Sequence, residues 1–536
     1  MKECLKIELE SLPAKAIAYE LLKDKKIEKK VFFALYYLIA MTLEGHQCVY
    51  VEKGGVTPSF EGMLGNQICE KELSEGFELF PSEMIQNEEV KDLRPIVKLD
   101  QNYYLQKYFL AETEFISHFI KIKEAAPLIS FDLLDVKSRL DQAVLLNPEQ
   151  KKAVETCFNQ TISLLTGGPG TGKSFTAKEL ISVYCSLCNK KKIKPQILLC
   201  APTGKATSSL KYKIKQDHSL EKYAIEVKTL HSALGIQGEE KKASKHLYGY
   251  DLVVVDECSM VDLFIWRELL ASLRLGVRLF LMGDPFQLPP VESGMLFRDL
   301  ANGYGCSSLK RCVRVESSRL LELGSFIKEK NIEAIKKQFV ISDQELAYQE
   351  LENEKNLFEI EKLYSHDHKE KGETQVFLTP MNFGVWGTKG ISQWMLSKES
   401  CQKNRPDSVP LLVTKTAYDL ELFNGDIGII KNEIVYFTFD KETKEVPLSL
   451  IPAYEYAYAL SIHKSQGSEY DHVVLLLPSG SERFGKELFY TAVTRAKKSL
   501  KIFAMPGVLE KILQVDATKY SAVAQRISKA LNNKSA

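Results

Sequence analysis

The nine residues TGGPGTGKS, Thr166 to Ser174, follow the apolar run ISLL and fit the spacing G-x-x-x-x-G-K-[ST]. A loop of this kind curls so that its backbone N–H groups point at phosphate oxygens, and the helix that follows adds its positive end. Gly167, Gly168, Pro169, Gly170, Thr171 and Gly172 would form the cradle. Lys173 would reach the β- and γ-phosphates of ATP, and Ser174 would hold Mg²⁺. A chance glycine-rich turn is the bland alternative. The strand before the loop and the helix after it argue against that. In VVVDECS, Asp256 would ligate Mg²⁺ through water and Glu257 would polarise the attacking water. In GDPFQLPPV, Gln287 is placed to sense the γ-phosphate; a proline-rich turn would explain Pro289 and Pro290 but not the glutamine. Phosphoryl transfer spreads charge over the equatorial oxygens, and arginines from a neighbouring domain stabilise it. The candidates are Arg314 in LKRCVR, with Arg311 as its near neighbour, and Arg495 in TAVTRAKK.

These residues need elements to position them. In LNPEQKKAVETCF, Asn147 suits an N-cap, Pro148 the first helical position and Gln150 the place three past the cap. The runs TISLLTGG, QILLCAPTG, DLVVVDECS and VRLFLMGD then read as buried parallel strands ending in polar turns. In such sheets ligands sit at the carboxyl ends of the strands. TQVFLTP, VPLLVTKT, AYALSIHKSQG, HVVLLLP and SLKIFAMP read as a second α/β unit without a phosphate loop, and alternation between Asn424 and Pro452 predicts a small antiparallel insertion.

Composition sets bounds. The 536 residues suggest three or four domains at about 150 residues each. The 45% hydrophobic and 26% charged content is that of an ordinary globular chain. With 71 basic and 70 acidic residues the net charge is +1, so a nucleic acid must meet a local basic channel rather than a global field. Eleven cysteines read as reduced thiols in a cytoplasmic protein, and Cys185 and Cys188 as buried helix thiols rather than half of a zinc site. The histidines of SHDHK, Ser365 to Lys369, read as a solvated loop. MKECLKIELE is not a signal peptide, and VFFALYYLIAMTL is too short for the roughly 20 residues of a bilayer span, so it reads as a core helix and no membrane association is expected.

The ordered set GGPGTGKS, APTGKA, KTLHSALG, VVVDECSMVD, GDPFQLPPV, LFNGDIGII, SIHKSQGSEYD and FYTAVTRAKK resembles superfamily one DNA helicases, in particular the RecD branch, over about residues 140 to 508. The segments ALYYLIAMTLEGHQCVYV and PIVKLDQNYYLQKYFLAETEFI resemble that family's region that packs against the RecC-type subunit of exonuclease V.

The resemblance implies an α/β fold with two RecA-like P-loop NTPase domains, residues 141–315 and 316–536. It adds an SH3-like β insertion near 420–455 and a mixed, mainly helical partner-binding domain over 1–140. It implies 5′-to-3′ translocation on single-stranded DNA by the helicase subunit of a RecBCD-type heterotrimer in double-strand break repair and recombination. The alternative is a stand-alone RecD-like helicase; an RNA-directed helicase and a structural subunit with a dead ATP site are further readings. Gln150 would read the adenine and Glu469 would lie near the ribose. Thr203 would touch the DNA backbone, Thr229 and His231 would couple DNA to the ATP site, and Lys464, Ser465 and Gln466 would face DNA or phosphate. No constellation of acids and lysine matches the RecB-type nuclease, so no DNA cleavage is expected of this chain.

Overall fold

The computed structural model describes residues 9–59, 67–87, 93–236, 247–312, 317–341, 343–351, 374–402, 409–439, 442–515 and 517–532. Arg314 and the SHDHK stretch lie outside the described residues.

Six parallel strands form the sheet of the first expected NTPase motor domain, in the order Ser307–Leu309, Ile162–Gly167, Arg278–Gly283, Leu252–Val255, Gln196–Ala201, Ala224–Thr229. The central runs ISLLTG, LVVV and RLFLMG are buried at every residue, because helices cover both faces. The four strands expected from apolar runs are present. Ala224–Thr229 alternates exposed and half-buried residues at the sheet edge, and Ser307–Leu309 is three residues long, so neither carries an apolar-run signal. The register pairs Gly283 with Thr166 and Leu281 with Val255, so the polar turns after these strands open on one edge of the sheet.

The sheet of the second expected motor domain is also parallel, ordered Leu346–Glu350, Ala496–Ala504, Tyr470–Leu477, Gln375–Thr379, Ala459–Ser461. Val409–Val413 corrects the sequence reading: it belongs to a separate antiparallel sheet ordered Glu442–Pro447, Ile434–Phe439, Ile427–Lys431, Val409–Val413, Tyr454–Tyr456. The run VPLLV mimics a parallel core strand because both its faces are covered. Leu411 and Val413 pack inside the small sheet, while Leu412 packs on the second motor. Asn432 and Glu433, both with positive φ, make the two-residue hairpin turn that follows Lys431.

The N-terminal region carries a third unit, a five-stranded sheet ordered Gly55–Thr57, Val49–Glu52, Asn102–Leu105, Ile96–Leu99, Ile85–Asn87. Helix Lys29–Leu43 buries Val31 through Thr42 there, as its apolar run predicts. Cys185 and Cys188 are buried in helix Lys173–Lys190, where desolvation pushes both thiols up to about 12. No described helix is long and apolar enough to cross a membrane.

Packing also crosses the domain boundaries expected from the sequence. Phe115 and Phe119 of helix Gln106–Glu124 sit in the first motor's core beside Trp266, and Val523 and Ile527 of helix Val523–Asn532 join the same core. The last helix therefore leaves the second motor and returns to the first. Arg526 ties it there, donating to the fully buried Glu112 at 2.9 Å and to Thr113 at 2.9 Å. A helix's apolar stripe shows that it packs, but not against which neighbour.

Candidate nucleotide and nucleic-acid site

Helix Pro148–Asn159 begins with the expected capping box: Asn147 accepts the Gln150 N–H at 2.9 Å, and the Gln150 side chain accepts the Asn147 N–H at 3.0 Å. Gln150 is buried against the phosphate loop. A Cβ on Gly172 would lie 2.7 Å from its Nε2, and Gly172 has φ +91°, so this position is closed to a side chain twice over. Within the loop, Lys173 Nζ donates to the carbonyls of Gly167 at 2.6 Å and Gly168 at 3.0 Å, and Thr171 Oγ1 donates to Gly168 at 2.8 Å.

Ser174 Oγ lies 3.2 Å from Asp256 Oδ2, and Asp256 Oδ1 accepts the Glu257 N–H at 2.9 Å. Two hard oxygens at this spacing suit Mg²⁺, which takes one or two protein oxygens and otherwise water and phosphate. Glu257 adopts φ +52° as the chain leaves strand Leu252–Val255, and its Oε2 is buried with no hydrogen-bond partner. Desolvation first and the Asp256 charge second push its carboxyl up, while Lys173 and Arg495 pull it down. Gln287 is buried; its Nε2 donates to Asp284 at 3.3 Å and its Oε1 has no partner. Two unpartnered buried oxygens, a cation and a hydroxyl–carboxylate pair at one sheet edge are what a hydrated metal–phosphate group would satisfy.

The second motor closes this edge. Arg495 is buried. Its Nε donates to Thr491 O at 3.0 Å, Nη1 to Ser468 O at 3.0 Å and Nη2 to Thr494 Oγ1 at 3.4 Å, and its charge is felt at Glu257. Three residues staple the two α/β units together, and sequence reasoning passed over two of them, Tyr490 and Thr491. Tyr490 Oη donates to Asp284 Oδ2 at 3.0 Å, Thr491 Oγ1 accepts the Leu288 N–H at 2.9 Å, and Gln466 Nε2 donates to Leu288 O at 3.3 Å. Tyr490 and Thr491 stand in the quoted FYTAVTR stretch, where the arginine alone carried a chemical signal. Arg311 is exposed.

The loop that carries Gln287 runs on into a second feature. A cleft of about 480 Å³ is lined by Thr203, Lys205, Thr229, His231, Pro289, Pro290, Phe423, Lys464 and Gln466, among others. It gathers five of the six predicted nucleic-acid contacts. Thr203 and Thr229 also cap helices, accepting the N–H of Ala206 at 3.3 Å and of Ser232 at 3.2 Å. Ser465 is not brought there: it is fully buried and donates to Ile462 O at 2.7 Å. Lys464 pairs with Glu455 at 2.8 Å, and Glu469 lies 3.9 Å from Lys497. Phe423, from the loop before strand Ile427–Lys431, covers Gly204 so closely that a Cβ there would fall 2.1 Å from the phenylalanine's own Cβ.

A family profile described as an AAA domain matches residues 145–340, and one described as a UvrD-like helicase C-terminal domain matches 456–502. The RecBCD enzyme subunit RecD of Haemophilus influenzae is 31% identical over 444 residues, covering 66% of this chain and 68% of that relative. The chain belongs to the RecD family. The RecD subunit of Mycolicibacterium smegmatis is 29% identical over 466 residues, covering 80% of this chain and 82% of that relative. A solved structure of two coordinating Pif1 helicases at forked double-stranded DNA is similar at 16% identity with a TM-score of 0.44, over 73% of this chain and 97% of that one. RecD-family chains are ATP-dependent DNA helicases, and the two profile matches fall on the two motor sheets of this RecD-family chain.

Proposed function

We propose that the chain is a 5′-to-3′ single-stranded DNA translocase and helicase, driven by ATP with Mg²⁺. It works with RecB-like and RecC-like subunits in double-strand break repair and recombination, in the cytoplasm. The observation that carries this reading is a site built from two sides. Lys173, Ser174 and Asp256 stand on the first motor, and the charge of Arg495 reaches Glu257 from the second.

In this reading Gln150 borders the base and the loop Gly167–Ser174 holds the phosphates. Ser174 and Asp256 would hold Mg²⁺, which would supply neutralising charge to the phosphates. Glu257, ionised, accepts the proton of the attacking water, and Gln287 orients that water. Arg495 and Arg314 meet the charge that develops on the transferred group. Asp284, Gln287 and Leu288 are stapled to the second motor, while Pro289 and Pro290 line the cleft. Motion of one motor against the other therefore changes the cleft wall. Thr203, Thr229, His231, Lys464 and Gln466 are the proposed DNA contacts, and the antiparallel sheet, with Phe423 at the cleft, is the proposed SH3-like cover. Leu12, Ile17 and Leu21 are exposed on one N-terminal helix, which suits a region that docks on a partner.

The test is ATP hydrolysis by the full chain with single-stranded DNA, single-stranded RNA or no polymer. Strong stimulation by DNA, lost in Lys173→Gln, is expected. Hydrolysis that ignores DNA, or that survives Lys173→Gln, would overturn the reading.

A further inference from the structure

Lys328 ends helix Ser318–Lys328 of the second motor, and its ammonium group stands at the mouth of the first motor's phosphate loop. A Cβ built on Gly168 would lie 3.9 Å from Lys328 Nζ, 3.2 Å from Tyr490 Oη and 3.9 Å from Asp284 Oδ2. The Gly168 carbonyl receives the ammonium of Lys173, the group proposed to reach the β- and γ-phosphates.

The ammonium is held by two aromatic faces, with the ring centroids of Phe286 and Tyr490 each 4.9 Å away. Ring faces attract a cation without neutralising it. None of the ion pairs among the described residues involves Lys328. The Asp284 carboxylate, which borders the same point beside Gly168, already accepts from Tyr490, Gln287 and the Phe286 N–H. Phe286 is 41% exposed for so large an apolar side chain, and steering this lysine gives it a use.

We propose that Lys328 is a phosphate-contacting residue supplied across the cleft, a cation that meets the terminal phosphate of ATP beside Gly168 and is silent toward ADP. The inference rests on the nucleotide site proposed above. It makes the second motor's grip on nucleotide depend on the γ-phosphate through a residue other than the two arginines. Closure then reports whether ATP or ADP is bound.

The test is equilibrium binding of fluorescent ADP and of a fluorescent non-hydrolysable ATP analogue to the full chain, with Mg²⁺ and a thymidine oligonucleotide. Lys328→Met keeps an adaptable side chain against Phe286 and Tyr490 but removes the charge; Lys328→Arg restores it. Loss of one charge-assisted bond predicts about 10-fold weaker binding of the ATP analogue by Lys328→Met, ADP binding unchanged to within about twofold, and recovery in Lys328→Arg. Equal affinities for wild type and Lys328→Met, or equal weakening toward both nucleotides, would overturn the role of Lys328. A folded wild-type chain that binds neither nucleotide would overturn the site itself.

Discussion

Replacing Arg495 by Gln removes an arginine of the second motor whose charge pulls the Glu257 carboxyl down. Its three hydrogen bonds, to Thr491 O, Ser468 O and Thr494 Oγ1, leave other N–H donors of the guanidinium for a ligand. Glutamine satisfies some of these acceptors, so the fold should lose about 1–3 kcal/mol, the cost of a buried partner left short. Catalysis should suffer far more. An arginine that meets transferring phosphate is worth about 10³-fold or more in kcat. A second effect carries a sign. Burial and Asp256 push the Glu257 carboxyl up, and Arg495 is one of two cations pulling it down. Without Arg495 the carboxyl rises further, so the acid limb of the kcat profile moves to higher pH. The assay is DNA-stimulated ATP hydrolysis across pH, well below the variant's Tm, with nucleotide affinity measured in parallel. A kcat within about threefold of wild type, or an acid limb that stays in place, would refute the reasoning.

Arg526→Ala should destabilise the chain by about 3 kcal/mol, because Glu112 is then left in the core without its cation; Glu112→Gln in the same chain should recover much of the loss in a thermal melt. Burial pushes Asp299 up to about 7, against the opposing pull of the Ser521 hydroxyl. Its folded form therefore holds a proton that the unfolded chain releases near pH 4. The stability this group contributes is whole below about pH 4 and is lost as pH rises through about 7, by at most about 4 kcal/mol. Asp299→Asn should flatten that part of the stability–pH curve, read by denaturant melts from pH 4 to 8. Tyr490→Phe removes the hydroxyl that reaches Asp284 and should cost about 1 kcal/mol in stability while weakening the stimulation of ATP hydrolysis by DNA. Unchanged stimulation would show that this staple does not carry the coupling.

The proposed nucleotide site is legible in sequence because phosphate chemistry fixes residue type and spacing together. The phosphate loop, the acids of VVVDECS and the glutamine after VRLFLMGD all fall at the carboxyl ends of adjacent strands. The staples were not legible, since a tyrosine and a threonine in a buried helix read as packing until the facing loop is known. Ser465 is the converse case. It stands in a chemically rich run, HKSQG, but a tight turn rotates its hydroxyl onto Ile462 O. VPLLV and the final helix show the same limit in the fold: apolar pattern measures burial, not the identity of the neighbour.

The central claim is a motor of defined direction, and strand separation with 5′-tailed and 3′-tailed DNA duplexes tests it most directly. The full chain should open the 5′-tailed duplex alone, and Lys173→Gln should open neither. Preferential opening of the 3′-tailed duplex would contradict the account.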